Sequence, residues 1–330
     1  MTVQKIAVAG AGSIGCFVGG VLAHHGHEVR FLARERIVRD VAQRGGLKLT
    51  DYAGMNLDVH DPVFRDDPSV LSFADVILVT VKSSATAEMG GLISELAKPS
   101  ALIISLQNGV GNTATLREAL PHHDVRAGMV PFNVVTTDGA TYHRATSGDI
   151  EVGAGTMPDL NSDDLIWQET ANIEAVQWGK LLINLGNALN ALSGLTLYEQ
   201  LQDRGWRRLM ADQMSEALGV LKANGITPAK TTAAPPALIP HILRLPTPIF
   251  KRVAAQMLTI DPTARSSMWD DLTKQRKTEI DALQGVVIDL AQKAGMSAKF
   301  NSRSKELINK AELEGAGPPG LAVPEILSGL

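Results

Sequence analysis

Hydrophobic positions along the chain fall into two textures. In the first half, short β-branched runs alternate with segments of helical period, predicting strands at residues 5–9, 28–33, 75–81, 101–106, 125–130 and 149–152. The run Val76-Ile-Leu-Val-Thr-Val81 is apolar on both parities, as a parallel strand covered on both faces requires. Strands separated by helices imply right-handed crossovers and a doubly wound sheet. Residues 131–145 read as extended chain that can add antiparallel strands. From about Trp178 the strand signals vanish. Amphipathic helices are predicted at 178–192, 204–224, 248–258, 269–293 and 304–314. Five prolines in 231–248 predict a loop or broken helices, with Pro248 placed to open the next helix. The tail 315–330 reads as irregular chain with a short final helix, and no internal repeat is present.

One motif gives the first half a chemistry. Gly10-Ala-Gly12-Ser-Ile-Gly15 follows the first predicted strand and opens a helical pattern of Ile14, Phe17, Val18, Val21 and Leu22. In that setting Gly10 allows the tight turn, Gly12 lets the backbone approach a pyrophosphate, and Gly15 lets helix and strand pack closely. The start of the helix, at Ser13 and Ile14, faces the negative charge. Gly10, Gly12, Ser13, Ile14 and Gly15 are therefore the candidates to hold a dinucleotide. After the second strand, Phe31-Leu-Ala-Arg34-Glu-Arg36 puts Arg34 where NAD sites carry an acidic residue for the ribose. A guanidinium suits a 2′-phosphate, so NADPH is favoured, with Glu35 as the alternative ribose ligand. Lys82 and Asn108 each follow a predicted strand at its carboxyl end, where open α/β sheets bind ligands. An exposed loop lysine and an ordinary Asn-Gly turn are the plain alternatives. The fold class expected is α/β. Residues 1–174 form an N-terminal Rossmann-type doubly wound sheet that binds a dinucleotide. Residues 175–330 are expected to form an all-helical C-terminal domain.

Composition narrows the partners. A length of 330 residues suits two cores rather than one. Aromatic content of 4% and a net charge of −4 leave neither a stacking platform nor a basic face for nucleic acid. No stretch approaches the roughly 18 apolar residues that span a bilayer. The N-terminus has no basic n-region with a cleavage site, so a cytoplasmic location is expected. The single cysteine, Cys16, excludes an intrachain disulfide and a cysteine metal cluster, and is expected to pack against the sheet. His24, His25 and His27 flank Gly26 where basic residues suit a helix C-terminus. No carboxylate cluster joins them, and no metal is expected. Met210, Met214 and Met257 fall in amphipathic helices and read as core.

The second half carries its own candidates. Lys180, Asn184 and Asn187 are spaced i, i+4, i+7 on one helix face, with Asn190 near its edge. Amid Leu181, Leu182, Ile183, Leu185 and Leu189, such a face suits the wall of a polar cleft; a solvated face is the plain alternative. On such a face a lysine ammonium can stabilise a developing oxyanion and donate a proton to it. Ser267 and Asp270 are spaced as a capping box at the start of the helix bearing Glu279. Of Ser266 and Ser267, one can cap while the other binds an anion. Taken alone, Glu279 is one of many surface glutamates.

The glycine loop, Val81-Lys82, Leu106-Gln-Asn108-Gly109, Lys180-Leu-Leu-Ile-Asn184 and Ser266-Ser267-Met268 with Lys277-Thr278-Glu279-Ile280-Asp281 occur in one order. Together they resemble the ketopantoate reductase (2-dehydropantoate 2-reductase) family, from the first strand to about Asn301. The resemblance implies a Rossmann domain followed by a helical domain that serves substrate and catalysis, an active site in the cleft between them, and NADPH as cofactor. It makes Lys180 the catalytic lysine and Glu279 its acidic partner, either orienting Lys180 or binding the substrate hydroxyl. Asn184 and Ser267 take substrate positions, Asn108 a place near the nicotinamide, Lys82 a cofactor contact, and Arg34 the NADPH preference. The family asparagine eight residues after the lysine is Ala188 here. Asn187 is its better replacement, because Ala191-Leu-Ser-Gly194 also arrives one residue early; Asn190 is the alternative. A further family asparagine has no counterpart, and residues 130–133 and 234–248 depart from the pattern. The implied function is NADPH-dependent reduction of 2-dehydropantoate to pantoate in pantothenate biosynthesis. One alternative is reduction of another branched or aromatic 2-keto acid, because one methyl in an apolar pocket is worth only ~1–3 kcal/mol. The other is a non-catalytic NADPH-sensing protein. The expected partner is a small 2-keto acid, with neither nucleic acid nor membrane, and a homodimer is left open.

Overall fold

The computed structural model describes residues 2–255 and 262–330. Its chain divides into two compact units, Met1–Ile173 and Glu174–Leu330.

The first unit runs β1 (Lys5–Ala9), α1 (Ser13–His24), β2 (Glu28–Leu32), α2 (Glu35–Arg44), β3 (Gly46–Asp51), β4 (Asn56–His60), β5 (Val63–Arg65), β6 (Val76–Val79), α3 (Thr86–Leu96), β7 (Leu102–Ser105), α4 (Asn112–Ala119) and β8 (Asp124–Met129). It continues through β9 (Val134–Thr136), β10 (Thr141–Arg144), β11 (Ile150–Gly153) and β12 (Trp167–Thr170). Six parallel strands lie in the order β5-β2-β1-β6-β7-β8, the dinucleotide-fold order with β5 in the place of the third strand. β11 then joins β8 antiparallel, and β12 extends the edge. Alternate residues serve opposite faces: Ile6, Val8, Val76 and Leu78 enter one core, Ala7, Ala9, Ile77 and Val79 the other. This is why these strands read as unbroken apolar runs. The predicted runs appear as β1, β2, β6, β7, β8 and β11.

A second sheet, β4-β3-β10-β9, stands outside the expected strands except in residues 131–145. Leu47, Leu49 and Tyr142 from it share a core with Cys16, Phe17, Val18, Val21 and Leu22 of α1 and with Val8 and Phe31 of the main sheet. α1 is therefore covered on two sides, which explains a helix buried from Gly15 to Leu22. Cys16 is sealed in that core, and burial pushes its thiol up to about 12, so it is packing rather than a nucleophile. Each nearby histidine has a partner: His24 Nδ1 lies 3.2 Å from Asp58 O, His25 Nε2 2.8 Å from Asp164 Oδ2, and His27 Nδ1 accepts from Gln4 N at 3.2 Å.

The second unit contains α5 (Ile173–Asn184), which begins on the boundary residue, then α6 (Gly186–Ser193), α7 (Leu197–Gln202), α8 (Arg204–Ala223), α9 (Ile239–Arg244), α10 (Thr247–Val253), α11 (Ser267–Thr273), α12 (Val286–Lys293), α13 (Lys299–Glu314) and α14 (Val323–Leu327). No helix among the described residues is long and apolar enough to cross a membrane. The proline-rich segment forms the short helices α9 and α10, each with proline in its first turn. Fully buried Arg207 of α8 pins them: its guanidinium donates to the carbonyls of Leu201, Gln202, Leu243 and Leu245 and lies 4.2 Å from the Phe250 ring centre. Carbonyls at the C-terminal ends of α7 and α9 supply the negative potential that an acid would otherwise provide.

Two long predicted helices are interrupted. The 178–192 helix is divided into α5 and α6 at Leu185, whose torsions stay helical (φ −55°, ψ −31°). The 269–293 helix ends at Thr273, because Gln275 takes the left-handed conformation (φ +51°). Gln275 N then bonds Leu272 O and Arg276 N bonds Asp271 O, a Schellman closure. Helical structure resumes at Ile280 through a π turn, Asp281–Gly285, that leads into α12. Of the predicted 248–258 helix, Gln256, Met257 and Leu258 lie outside the described residues.

Candidate active site

In the first unit, the candidate cofactor residues gather at the carboxyl ends of the parallel strands. Gly10 has φ +90°, and a Cβ there would sit 2.2 Å from Val81 Cγ1. At Gly15 a Cβ would lie 2.4 Å from Thr80 Oγ1 and 2.8 Å from Val8 Cγ1. Both glycines are demanded by the protein itself. Gly12 differs: its φ is −87°, and a Cβ would meet nothing nearer than Gly10 O at 4.0 Å. The protein does not need glycine at that position, whereas a ligand lying on the backbone does. α1 begins there with no acidic residue in its first turn and no side-chain cap, leaving its first N–H groups to an anion. The open cradle and uncapped helix fit a dinucleotide diphosphate.

Supporting side chains fix this loop. Thr80 Oγ1 donates to Gly10 O at 2.8 Å, and the Ser13 and Thr136 hydroxyls lie 3.1 Å apart. Arg34 precedes α2 as its N-cap, exposed and without an ion-pair partner among the described residues, while Glu35 pairs with Arg39 at 3.4 Å. Lys82 caps the short turn after β6, and Asn108 stands exposed after β7. The Asn108 carbonyl accepts from Ser83 Oγ at 3.3 Å and from Asn112 Nδ2 at 2.8 Å, tying the two loops together. Beneath them, buried Gln107 donates to Val81 O at 3.0 Å and to Thr86 Oγ1 at 2.7 Å. Thr80, Thr86, Gln107 and Asn112 were not singled out from sequence. Thr80 was findable, as the lone polar residue inside an apolar strand run.

In the second unit, Lys180 and Asn184 occupy the last turns of α5, and Asn187 the first turn of α6. The chain at 229–231 straps across the turn before Lys180. Ala229 N donates to Ala175 O at 2.7 Å, and a Cβ on Gly179 would lie only 2.3 Å from Ala229 O. Lys180 keeps some accessible surface, yet desolvation pulls its ammonium down to about 8. Among the described residues the side-chain amides of Asn184 and Asn187 make no hydrogen bond to protein, so both can serve a ligand. Asn190, by contrast, is fully buried. It donates to Leu195 O and Gln200 Oε1 and accepts from Ser266 N at 2.8 Å. Its role is structural, which leaves Asn187 as the open amide.

The serine pair also divides its roles. Ser266, not Ser267, caps α11: its hydroxyl accepts from Trp269 N at 3.2 Å and donates to Asn187 O at 3.0 Å. The Ser267–Asp270 box is not formed, because Asp270 pairs with Lys274 and Arg276 instead. Ser267 stays exposed in the first turn, on a segment tied to Asn187. Glu279, half-buried, directly precedes the helix that resumes at Ile280. Five residues on, Gln284 bonds back to Leu185. The helical unit thus draws the segments of Lys180, Asn184, Asn187, Ser267 and Glu279 together through direct hydrogen bonds between their neighbours.

Comparison with known proteins identifies the family. The family model "Ketopantoate reductase PanE/ApbA" matches residues 6–156, and its C-terminal companion matches residues 172–312. A 2-dehydropantoate 2-reductase of Halobacterium salinarum is 25% identical, with 94% of this chain and 100% of the relative covered. One from Pyrococcus abyssi is 27% identical, with 94% and 99% covered. The crystal structure of a PanE/ApbA family ketopantoate reductase from Ralstonia eutropha JMP134 superposes with TM-score 0.80 and 27% identity, over 94% of this chain and 99% of that one. D-mandelate dehydrogenase, solved with NADH and anilino(oxo)acetate, shares the fold at TM-score 0.77 and 20% identity, over 94% and 99%. Matched along both units, the chain belongs to the ketopantoate reductase (PanE/ApbA) family.

Proposed function

We propose that the protein is an NADPH-dependent 2-keto acid reductase whose substrate is ketopantoate, reduced to pantoate in the cytoplasmic synthesis of pantothenate. One observation carries this reading: Lys180, lowered to about 8 by desolvation, stands on a helix turn beside two amides without protein partners. At neutral pH such a lysine is still mostly ammonium, but it gives up its proton far more readily than an exposed lysine near 10.5.

Residues 1–174 hold the cofactor and residues 175–330 the substrate. Gly12 and the uncapped start of α1, at Ser13 and Ile14, receive the diphosphate, and unpaired Arg34 receives the 2′-phosphate. Lys82 and Asn108 line the strand ends beside it. The chemistry the cofactor would supply when held there is hydride for the carbonyl carbon. Lys180 stabilises the oxyanion as it forms and passes it a proton. Asn184, Asn187 and Ser267 bind the carboxylate and oxygen functions of the keto acid, and Glu279 orients Lys180 or binds the substrate hydroxyl.

The test is NADPH oxidation, followed by absorbance, with ketopantoate and a panel of branched and aromatic 2-keto acids, wild type beside Lys180→Ala. Turnover of ketopantoate, lost in the variant, supports the assignment. Turnover of a different keto acid keeps the reductase and overturns the substrate. NADPH binding without oxidation of any panel member makes the protein a sensor.

A further inference from the structure

The helix carrying Lys180 changes its hydrogen bonding at a single residue. α5 ends at Asn184 and α6 begins at Gly186, so Leu185 separates the turn of Lys180 and Asn184 from the turn of Asn187. Leu185 itself keeps helical torsions (φ −55°, ψ −31°) and its N–H bonds Leu181 O at 2.9 Å, so the disturbance lies at its carbonyl, just before Gly186. Its carbonyl accepts from two side-chain amides, Gln284 Nε2 at 2.9 Å and Gln213 Nε2 at 3.2 Å. A side chain inserted at a helix carbonyl is one of the few physical causes of such a disturbance.

The two amides are not equivalent. Gln213, on α8, has other attachments: its Nε2 also reaches Asn301 Oδ1 at 3.4 Å, and its Oε1 lies 3.5 Å from Ser304 Oγ. Gln284 is fully buried and bonds Leu185 alone, its Oε1 sealed among protein atoms without a partner. An orphaned buried carbonyl is destabilising, and a methionine would fill the same space without that penalty. Packing therefore does not explain why a glutamine stands here. It also sits in a π turn, an uncommon element found mostly at functional sites, and that turn starts two residues after Glu279.

We infer that Gln284 is a positioning residue: its amide at the Leu185 carbonyl fixes the setting of Lys180 and Asn184 against Asn187 and couples it to the turn that follows Glu279. The inference deepens the proposed reductase function and rests on it for its kinetic consequence. Misplacement of a reacting group by about 1 Å costs on the order of a hundredfold in rate.

Gln284→Met keeps the volume and removes the amide. The expected result is a fall in kcat of about tenfold to a hundredfold, with KM for the keto acid and NADPH affinity changed by less than about threefold. Amide hydrogen exchange is expected to quicken at residues 186–189 and not elsewhere in the helical unit. The exchange readout needs no turnover: if wild type reduces no panel acid, the reductase reading fails while exchange still judges the contact. Should the methionine variant not fold, Gln284→Asn, whose amide is one methylene too short to reach Leu185, takes the same measurements. A kcat within twofold of wild type, exchange unchanged at 186–189, or exchange raised uniformly across the unit overturns the inference.

Discussion

If Lys180 is held in a desolvated site, removing its charge should stabilise the protein while abolishing its chemistry. The folded-state value of about 8 against 10.5 in the unfolded chain is a difference of about 2.5 units. At 1.36 kcal/mol per unit this corresponds to about 3 kcal/mol, an upper figure because the side chain retains some access to water. The sign follows from proton counting. Between pH 8 and 10.5 the unfolded chain holds a proton that the folded chain has released, so wild-type stability rises with pH across that window. The penalty is full below pH 8 and gone above 10.5. Lys180→Met, which keeps the hydrophobic stem, should therefore unfold at higher urea than wild type at pH 7, by about 1–3 kcal/mol. At pH 10 the gap should shrink below about 1 kcal/mol. Other titrating groups cancel, since they are common to both proteins. Parallel urea titrations at the two pH values, following the helical unit by tryptophan fluorescence, measure this. A variant less stable than wild type at pH 7, or a gap of equal size at both pH values, would refute the desolvation argument and with it the assigned role of Lys180.

Three further outcomes are expected. The rate of 2-keto acid reduction should fall above about pH 8 as Lys180 loses its proton, and the reverse oxidation should rise through the same pH; a flat profile from pH 7 to 9 would show that Lys180 is not the donor. Gly12→Ala should leave the melting temperature unchanged and weaken NADPH at least about tenfold, whereas Gly15→Ala, whose Cβ would land on Thr80 and Val8, should destabilise the fold by about 1–3 kcal/mol; calorimetry and fluorescence titration separate the two. Arg34→Ala should weaken NADPH binding by about 1–3 kcal/mol, leave NADH binding unchanged, and shift stability by less than about 0.5 kcal/mol because Arg34 has no ion pair to lose among the described residues; equal losses for both cofactors would count against the 2′-phosphate contact.

What was legible in the sequence follows from how local the signal is. The parallel strands could be read because both faces are buried, so each is a continuous apolar run such as Val76–Val79. The second sheet could not. β4 buries only Val59 and β9 is three residues long, and β3, paired locally with β4, gains its second partner, β10, about ninety residues later. The helix divisions were hidden for a different reason. Leu185 is a good helix former, and Gln275 takes a left-handed position usually given to glycine, held there by its own Nε2 donating to Gly315 O at 2.6 Å. At the candidate site, the lysine–asparagine stripe was legible because helical spacing alone makes it. The division of labour between Ser266 and Ser267, and between Asn187 and Asn190, was not. Those choices depend on contacts between Ser266, Asn187 and Asn190 that span nearly eighty residues.

Several departures from local rules fall on the turns around Lys180 and on the chain that packs against them. Trp178 carries a buried indole N–H without a partner, Gly179 is needed only because the 229–231 strap lies against it, Lys180 is desolvated, the helix is divided at Leu185, and Gln284 leaves a carbonyl unpaired. Each is destabilising when taken alone, and such features persist where function maintains them. On α8 and α13, by contrast, buried Arg207 and Asn301 are fully engaged in hydrogen bonds. Gly179 links the strap to the lysine most directly. A methyl placed 2.3 Å from the Ala229 carbonyl must push the strap outward, and that movement admits water to the turn before Lys180. Gly179→Ala should then destabilise the helical unit by about 1–3 kcal/mol and move the upper limb of the pH–rate profile above 8, toward the ordinary lysine value. A variant that loses stability while its pH profile stays at 8 would separate the strap from the lysine and place the source of desolvation elsewhere.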